Sequence, residues 1–218
     1  MPGDNDDELD LLDPDSNHFN NYTVNFSQHS IDTFVRNSNL DSKALNIFHH
    51  NSRSIMKHGK LDEYEIFFEA IKNPFNILIF TETWLTCDKM DHCKIQGFSP
   101  IHLIRPNDQN IEYKERGGGI SIFVRNDIKF KHRYDLDIVL PYMECCFIET
   151  MFNNKKYIIA GMYRIPNTNI NFFIEKFNEI IEPLKSSFEV IILGDFNINL
   201  FNDDINKTYL KSVYNLTT

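Results

Sequence analysis

The sequence predicts a layered α/β or α+β sandwich. Short, fully apolar runs bounded by polar residues, such as residues 77–80 and 190–193, are typical of buried strands. Two longer segments repeat apolar residues at helical spacing, which indicates crossover helices between strands. Between these segments lie strand-like runs joined by short turns. Because helical crossovers are mixed with hairpins, a sandwich is favoured over a regular doubly wound sheet.

The N-terminal half of the predicted domain begins with a strand, a helix and a second strand. Ordered structure should start near Ala44, with residues 45–51 as the first strand. An amphipathic helix follows, and Pro74 ends it because proline lacks an N–H donor and disfavours helix in the residue before it. Residues 77–81 form the next strand. The apolar stripe of the helix comprises Leu61, Tyr64, Phe67, Phe68 and Ile71.

The remaining elements are four further strands, one helix and a last strand. Asn153-Asn154 is a hairpin-type turn signal between two of the strands. The glycines of Gly117-Gly118-Gly119 indicate a turn that feeds a strand, and no Walker-type phosphate loop follows them. The predicted strands are residues 101–104, 120–124, 144–152, 156–162 and 189–193, and the predicted helix is residues 171–184.

Charge is distributed unevenly along the 218 residues. Residues 1–44 carry nine acidic and two basic side chains, a net charge of -7, which leaves only -2 of the total -9 for the rest. We therefore expect two regions: an acidic, disordered leader at residues 1–43 and a partial domain at residues 44–218. A nearly neutral domain can bind DNA weakly, although it lacks the basic footprint of a dedicated binder.

Composition also limits the compartment and the partners. No apolar run approaches the roughly 20 residues that span a bilayer, so no membrane association is predicted. The four cysteines form no Cys-x-x-Cys pair, and the grouping of Cys87, His92 and Cys93 lacks the second half of a zinc framework. Free thiols and the absence of a signal peptide predict an intracellular protein, nuclear or cytoplasmic and not secreted. No protein partner is predicted.

Polar side chains stand where three of the apolar runs end. Asp195 and Asn197 follow the run at residues 190–193, Glu82 follows residues 77–80, and Asn51 follows the first strand. Residues i and i+2 of an extended chain point to the same side, so Asp195 and Asn197 should face one pocket. A carboxylate and an amide suit the orientation and deprotonation of a water beside a phosphate.

Residues 45–197 resemble the endonuclease/exonuclease/phosphatase superfamily, and the closest likeness is to the endonuclease domain of jockey-type non-LTR retrotransposons. Five segments carry the resemblance, in the family's order and at family-like spacings, over about two-thirds of the chain. They are Asn51-Ser52-Arg53-Ser54, Thr81-Glu82-Thr83-Trp84-Leu85, Arg116-Gly117-Gly118-Gly119-Ile120, Tyr163-Arg164-Ile165-Pro166 and Gly194-Asp195-Phe196-Asn197.

The resemblance implies a four-layer α/β sandwich that hydrolyses phosphodiester bonds of DNA. Glu82 and Asn51 match the positions that hold a divalent metal, Mg²⁺ (or Mn²⁺). Tyr163 matches a residue that contacts the scissile phosphate, and Arg164 would add positive charge beside it. Asp195 matches the residue that positions or deprotonates the attacking water, and Asn197 the residue that stabilises the pentacovalent phosphate.

The sequence departs from the family after Asn197. The family closes its site with a late Asp-His or Ser-Asp-His segment, whereas the 21 residues after Asn197 contain no histidine. The expectation is an endonuclease-type domain, incomplete at its C-terminus, with weak or no nicking activity. One alternative is a non-catalytic pseudonuclease remnant or binding protein. Another is the phosphatase or sphingomyelinase branch of the superfamily.

Simpler structural interpretations exist for several of these residues. The segment from Asp195 to Asn197 is also good turn chemistry, and Glu82 could cap a helix starting near Trp84. Trp84 is expected in the core. His49 and His50 should face opposite sides of the first strand as packing or surface residues.

Overall fold

The computed structural model describes residues 43–72, 74–105 and 117–198. Residues 1–42 of the predicted leader, Arg116 of the glycine-rich segment and residues 199–218 lie outside the described residues. The division into a leader and a domain therefore stays a prediction.

The described part contains nine strands, two α-helices and one short 3₁₀ helix, Met90–His92. Every predicted strand and helix is present, with ends that agree with the prediction or differ from it by a few residues. Two strands of three residues each were not predicted, because they are too short to show an alternating pattern. In chain order the elements are β1 (Ile47–Asn51), α1 (Lys60–Ala70), β2 (Ile77–Thr81), β3 (Phe98–Leu103), β4 (Ile120–Arg125), β5 (Phe130–His132), β6 (Ile138–Leu140), β7 (Met143–Phe152), β8 (Lys155–Arg164), α2 (Ile170–Leu184) and β9 (Glu189–Asp195).

These strands form two sheets. The first sheet has the order β1-β2-β4-β3, and the second has the order β5-β7-β8-β9 with β6 beside β7. Each sheet contains one parallel pair, β1 with β2 and β8 with β9, and in each case a helix connects the two strands. Because parallel strands end at the same edge, Asn51 lies beside Thr81 and Tyr163 lies beside Asp195.

Helix α1 covers the outer face of the first sheet through aromatic side chains. Phe48 on β1 packs edge-on against Phe68 with ring centroids 5.3 Å apart, and Tyr64 lies 4.8 Å from Phe80 of β2. Such ring pairs add about 0.5–1.5 kcal/mol each beyond the area that they bury. The stripe predicted for this helix is therefore its inner face, with Tyr64 and Phe68 buried.

The two sheets pack face to face, and α2 covers the outer face of the second. Isoleucines of β2 and β4 meet Ile148 and Ile159 of the second sheet in a common core. Phe173, Phe177 and Ile181 of α2 pack on the opposite face of β7 and β8. The described residues thus form four layers in the order helix, sheet, sheet, helix.

Two positions on the second sheet show how closely the layers meet. Gly161 of β8 faces the first sheet, and a Cβ atom there would lie 2.8 Å from methyl groups of both Ile79 and Ile120. Cys145 and Cys146 are adjacent on β7 and point to opposite faces, as predicted, one toward α2 and the other toward the first sheet. Within the described residues, neither helix has the length and hydropathy that a bilayer crossing requires.

Candidate functional site

The polar residues at the strand ends come together where the two sheets meet. The side-chain amide nitrogen of Asn51, at the end of β1, donates to Glu82 Oε1 at 2.9 Å and to Asp195 Oδ2 at 2.6 Å. Asp195 lies 144 positions away along the chain and in the other sheet. We name the group formed by Asn51, Glu82, Tyr163 and Asp195 the strand-end site.

The orientation of the Asn51 amide determines which oxygens the site offers. Its nitrogen faces the two carboxylates, while its Oδ1 accepts the backbone N–H of Arg53 at 3.2 Å. Glu82 and Asp195 therefore supply the oxygen atoms that converge. Asn51 holds them together, and its amide would have to turn for Oδ1 to become a direct metal ligand.

Glu82 is held in a backbone conformation that non-glycine residues adopt uncommonly. Its φ angle is 50°, and no helix follows at Trp84, so Glu82 is not a helix cap. The carbonyl of Glu82 accepts the N–H of Ser54 at 2.8 Å, and the next N–H, of Thr83, donates to Gly119 at 3.2 Å. The strain is sustained by neighbouring segments on both sides, a pattern that clusters at functional sites.

A buried ion pair fixes the glycine-rich segment that supports Glu82. Glu144 of β7 is 1% exposed; its Oε1 bonds to the guanidinium of Arg105 and its Oε2 accepts the N–H of Gly119 at 2.6 Å. Arg105 crosses so close to Gly118 that a Cβ atom there would collide with it. Burial raises the pKa of Glu144, whereas Arg105 opposes that rise. The glycines predicted as a structural turn thus position the site.

Tyr163 lies beside the carboxylates with only 4% of its surface exposed. Its hydroxyl is hydrogen-bonded to Glu82 and is uncharged at neutral pH. Burial is the main cause that raises the pKa of Tyr163 well above its usual range, and the charges of Glu82 and Asp195 add to it. The hydroxyl therefore stays protonated and can donate.

Asn197 and Arg164 form the wall of the site behind Asp195. The backbone N–H of Asn197 donates to Asp195 Oδ1 at 3.1 Å, and its side-chain nitrogen donates to the carbonyl of Arg164 at 2.6 Å. The guanidinium of Arg164, a residue 6% exposed, donates to the carbonyl of Asn197 at 2.7 Å and to that of Thr168. This arrangement ties the end of β8 to the turn after β9.

From the sequence, His49 was expected to be a packing or surface residue and Trp84 a core residue. Burial lowers the pKa of His49, and the charge of Asp195 opposes that effect, so the imidazole lies within electrostatic reach of the site. The sequence did carry one indication that His49 lies near the site. It stands two residues before Asn51 on a strand, and residues i and i+2 of a strand point to the same side. The expectation for Trp84 was wrong: its side chain follows the strained turn at Glu82 and is 37% exposed.

The donor set fits a hard divalent cation. Carboxylate oxygens of Glu82 and Asp195 converge, and oxygen is the ligand atom that Mg²⁺ prefers. The same two carboxylates raise the pKa of Tyr163, and Glu82 also raises that of Glu144, which shows a concentration of negative charge at this point. A bound cation would relieve that repulsion.

Solved structures with the same architecture are nucleases and related proteins. The endonuclease domain of TRAS1, a telomere-specific non-LTR retrotransposon, is 13% identical, with a TM-score of 0.56 over 79% of this chain and 71% of that one. AP endonuclease LMAP from Leishmania major is 12% identical, with a TM-score of 0.58 over 79% and 66%. An endonuclease/exonuclease/phosphatase family protein from Leptotrichia buccalis is 11% identical, with a TM-score of 0.54 over 79% and 74%.

No family model matches the sequence, and no curated protein matches it. At identities this low, likeness to solved structures establishes the fold alone. The chain therefore has the fold of the endonuclease/exonuclease/phosphatase superfamily, as its two sheets, their covering helices and these neighbours show. The TRAS1 endonuclease domain is one of the structures that share this fold.

Proposed function

We propose that this protein is a divalent-metal-dependent nuclease that hydrolyses phosphodiester bonds of DNA, in the manner of a retrotransposon endonuclease. The observation that carries the proposal is the meeting of Glu82 and Asp195, from different sheets, on one amide nitrogen of Asn51. Two carboxylates held this close repel each other, and a bound cation would offset that repulsion.

Glu82 would hold Mg²⁺ (or Mn²⁺), with Asn51 beside it and the Asp195 carboxylate facing the same point. Such an ion, when bound, neutralises phosphate charge and stabilises the leaving oxygen. In our proposal Asp195 orients the attacking water and accepts its proton. The N–H of Asn197 that donates to Asp195 Oδ1 would keep this carboxylate in position. Glu82 is the direct ligand, since its carboxylate has no backbone N–H partner among the described hydrogen bonds.

Tyr163 and Asn197 would act on the phosphate. The protonated Tyr163 hydroxyl can turn from Glu82 to a phosphate oxygen without loss of its donor role. The backbone N–H of Asn197 donates to Asp195 Oδ1, and its side-chain amide would have to leave the carbonyl of Arg164 to contact the phosphate. Arg164 would act indirectly, because its guanidinium donates to the carbonyls of Asn197 and Thr168. Its contacts support a positioning role more than a direct phosphate contact.

The surface next to the site suits a nucleic acid. Trp84, 37% exposed, lies two residues after Glu82, and the exposed Arg53 lies next to Ser54, whose N–H donates to the Glu82 carbonyl. An aromatic face can stack on a base, and a guanidinium can contact a phosphate. DNA is therefore the substrate class that we infer in preference to a lipid or an inositol phosphate.

Nicking of a supercoiled plasmid in the presence of Mg²⁺ tests this function. We expect slow conversion to open circles, lost on addition of chelator and reduced at least about 100-fold in Glu82→Ala and Asp195→Ala, because both act on one transition state. Asp127→Ala is the matched control, since this exposed carboxylate pairs with Arg125 on the surface.

Several results would contradict the proposal. Nicking that persists in both site variants would assign the activity to a contaminant. Hydrolysis of sphingomyelin or inositol phosphates without nicking would favour the other branch of the superfamily. Salt-sensitive DNA binding by a protein that never nicks would favour a non-catalytic binding protein.

A further inference from the structure

A second polar cluster lies on the second sheet and shares no residue with the strand-end site. His132 of β5, Asp137 of the following loop and Cys146 of β7 each offer one ligand atom, and the three atoms lie within 4.8 Å of one another. His132 Nε2 is 2.6 Å from Asp137 Oδ2 and 3.8 Å from Cys146 Sγ. We name these three residues the edge cluster.

We propose that the edge cluster binds a zinc ion, which would staple strand β5 and the loop after it to β7. The combination of imidazole nitrogen, thiolate sulfur and carboxylate oxygen is one that zinc accepts. Magnesium, in contrast, prefers oxygen ligands only. Three protein ligands leave the fourth tetrahedral position to a water molecule.

The spacing of the ligand atoms is close to what a tetrahedral ion requires. Zinc bonds of about 2.0 Å to nitrogen or oxygen and about 2.3 Å to sulfur place neighbouring ligand atoms about 3.3–3.5 Å apart. The His132–Cys146 separation of 3.8 Å is slightly above this range, and the His132–Asp137 separation of 2.6 Å is below it. His132 Nε2 and Asp137 Oδ2 would have to move apart to bind the ion, and both side chains are partly accessible to solvent, each 11% exposed.

The geometry differs from that of a Cys-His-Asp nucleophilic triad. In a triad the acid and the nucleophile contact different nitrogens of the imidazole ring. Here the same atom, His132 Nε2, faces both Asp137 and Cys146. Convergence of all three groups on one point is the arrangement of a binding site for an ion.

Contacts outside the cluster hold its members in place. Asp137 Oδ1 accepts the N–H of Phe147 at 2.9 Å, so only Oδ2 faces the cluster. The N–H of Arg133 donates to the carbonyl of the same Phe147 at 2.9 Å, which attaches both ends of the loop to β7. The ring centroid of the exposed Tyr134 lies 3.7 Å from that of His132. Such supporting contacts orient metal ligands.

Cobalt substitution in the full-length protein tests the proposal. Co²⁺ bound by a cysteine thiolate gives a charge-transfer band in the near ultraviolet, whereas an oxygen-only site such as the strand-end site gives none. We expect the band in the wild-type protein, its displacement by Zn²⁺, and its loss in Cys146→Ser. The chain has four cysteines, all of them within the described residues, so each can be tested.

Cys145→Ser is the matched control, because Cys145 is equally buried on the same strand but faces α2. It should keep the band. His132→Gln and Asp137→Asn retain the thiol and should weaken Zn²⁺ binding at least about tenfold, which keeps the test valid if Cys146→Ser does not fold. Absence of the band in the wild-type protein, or its persistence in Cys146→Ser, would overturn the proposal.

Discussion

The strand-end site and the edge cluster differ in ligand chemistry and in the way the chain builds them. The strand-end site collects oxygen donors from both sheets, and Asn51 and Asp195 are 144 positions apart. The edge cluster collects nitrogen, sulfur and oxygen from one sheet, and His132 and Cys146 are only 14 positions apart. The first arrangement needs the whole sandwich, whereas the second needs one sheet edge.

This difference agrees with the two separate uses of a cation that we propose. Residues contributed by two sheets suit substrate chemistry, because a substrate can lie across the junction. Residues contributed by one strand, its neighbour and the connecting loop suit local stabilisation of that edge. A change at either place should therefore leave the other nearly unaffected, since the two share no side chain.

A crossed metal test has the largest expected effect. Glu82→Gln should lower Mg²⁺-dependent nicking at least about 100-fold and leave the cobalt band unchanged, since the edge cluster is intact. Cys146→Ser should abolish the cobalt band and leave nicking within about twofold of wild type. Plasmid nicking and cobalt absorption, measured on the same preparations, check this. Loss of both signals in either variant would mean that the two places depend on each other.

Removal of the buried carboxylate behind the glycine-rich segment should have the next largest effect. Glu144→Ala leaves Arg105 and the N–H of Gly119 without this partner, and we expect a loss of about 3 kcal/mol in the free energy of unfolding. Asp127→Ala at the exposed pair with Arg125 is the control, with a change within about 0.5 kcal/mol. Urea denaturation measures both. Equal changes in the free energy of unfolding would show that the buried pair stabilises the fold no more than the exposed pair does.

Loss of one hydroxyl tests whether Tyr163 acts on the reaction or only fills space. Tyr163→Phe keeps the ring and removes the donor, so nicking should fall about tenfold with the fold retained. Tyr134→Phe, beside the edge cluster, is the control and should nick at the wild-type rate. A large drop in melting temperature with no change in the rate constant at low temperature would assign Tyr163 a structural role.

The smallest expected effect is a pH dependence of stability carried by the first sheet. Burial lowers the pKa of His49, His50 and His102, so the folded protein disfavours their charged forms. The unfolded chain binds more protons below its histidine pKa of about 6.5, and stability should fall as the pH decreases from there.

Urea unfolding at several pH values, compared between wild type and His102→Gln, measures this effect. The variant should lose less stability on acidification than the wild type. His58→Gln, at an exposed position, is the control. An identical decline in all three proteins would exclude His102 as a source of the pH dependence.

Most of the fold could be predicted from the sequence because burial on both faces of a strand leaves an apolar run. The run at residues 77–81 became β2 with the predicted ends. Strands β5 and β6 were missed because three residues are too few to show a period, and their pairing with β7 is a tertiary effect. His132 was thus not placed on any element, and the edge cluster could not be foreseen.

The strand-end site could be predicted in part. Parallel pairing brings Asn51 and Asp195 to strand ends, and the order of the motifs pointed to the same residues. The amide orientation of Asn51 and the exposure of Trp84 could not be predicted, because both depend on the left-handed turn at Glu82. No local pattern signals that turn, since it is held by two long-range hydrogen bonds: Ser54 N–H donates to the Glu82 carbonyl, and Thr83 N–H donates to the carbonyl of Gly119.

Because Gly161 carries a hydrogen atom in place of a side chain, the two sheets can approach closely next to the strand-end site. A larger residue at position 161 would push Ile79 and Ile120 away from β8, because a Cβ atom there would lie too close to both. We expect this displacement to increase the distance between Glu82 and Asp195. A change in the apolar interior would then separate the polar groups of the strand-end site, although each would still be present on its own sheet. The geometry of the strand-end site is therefore a property of the packing between layers.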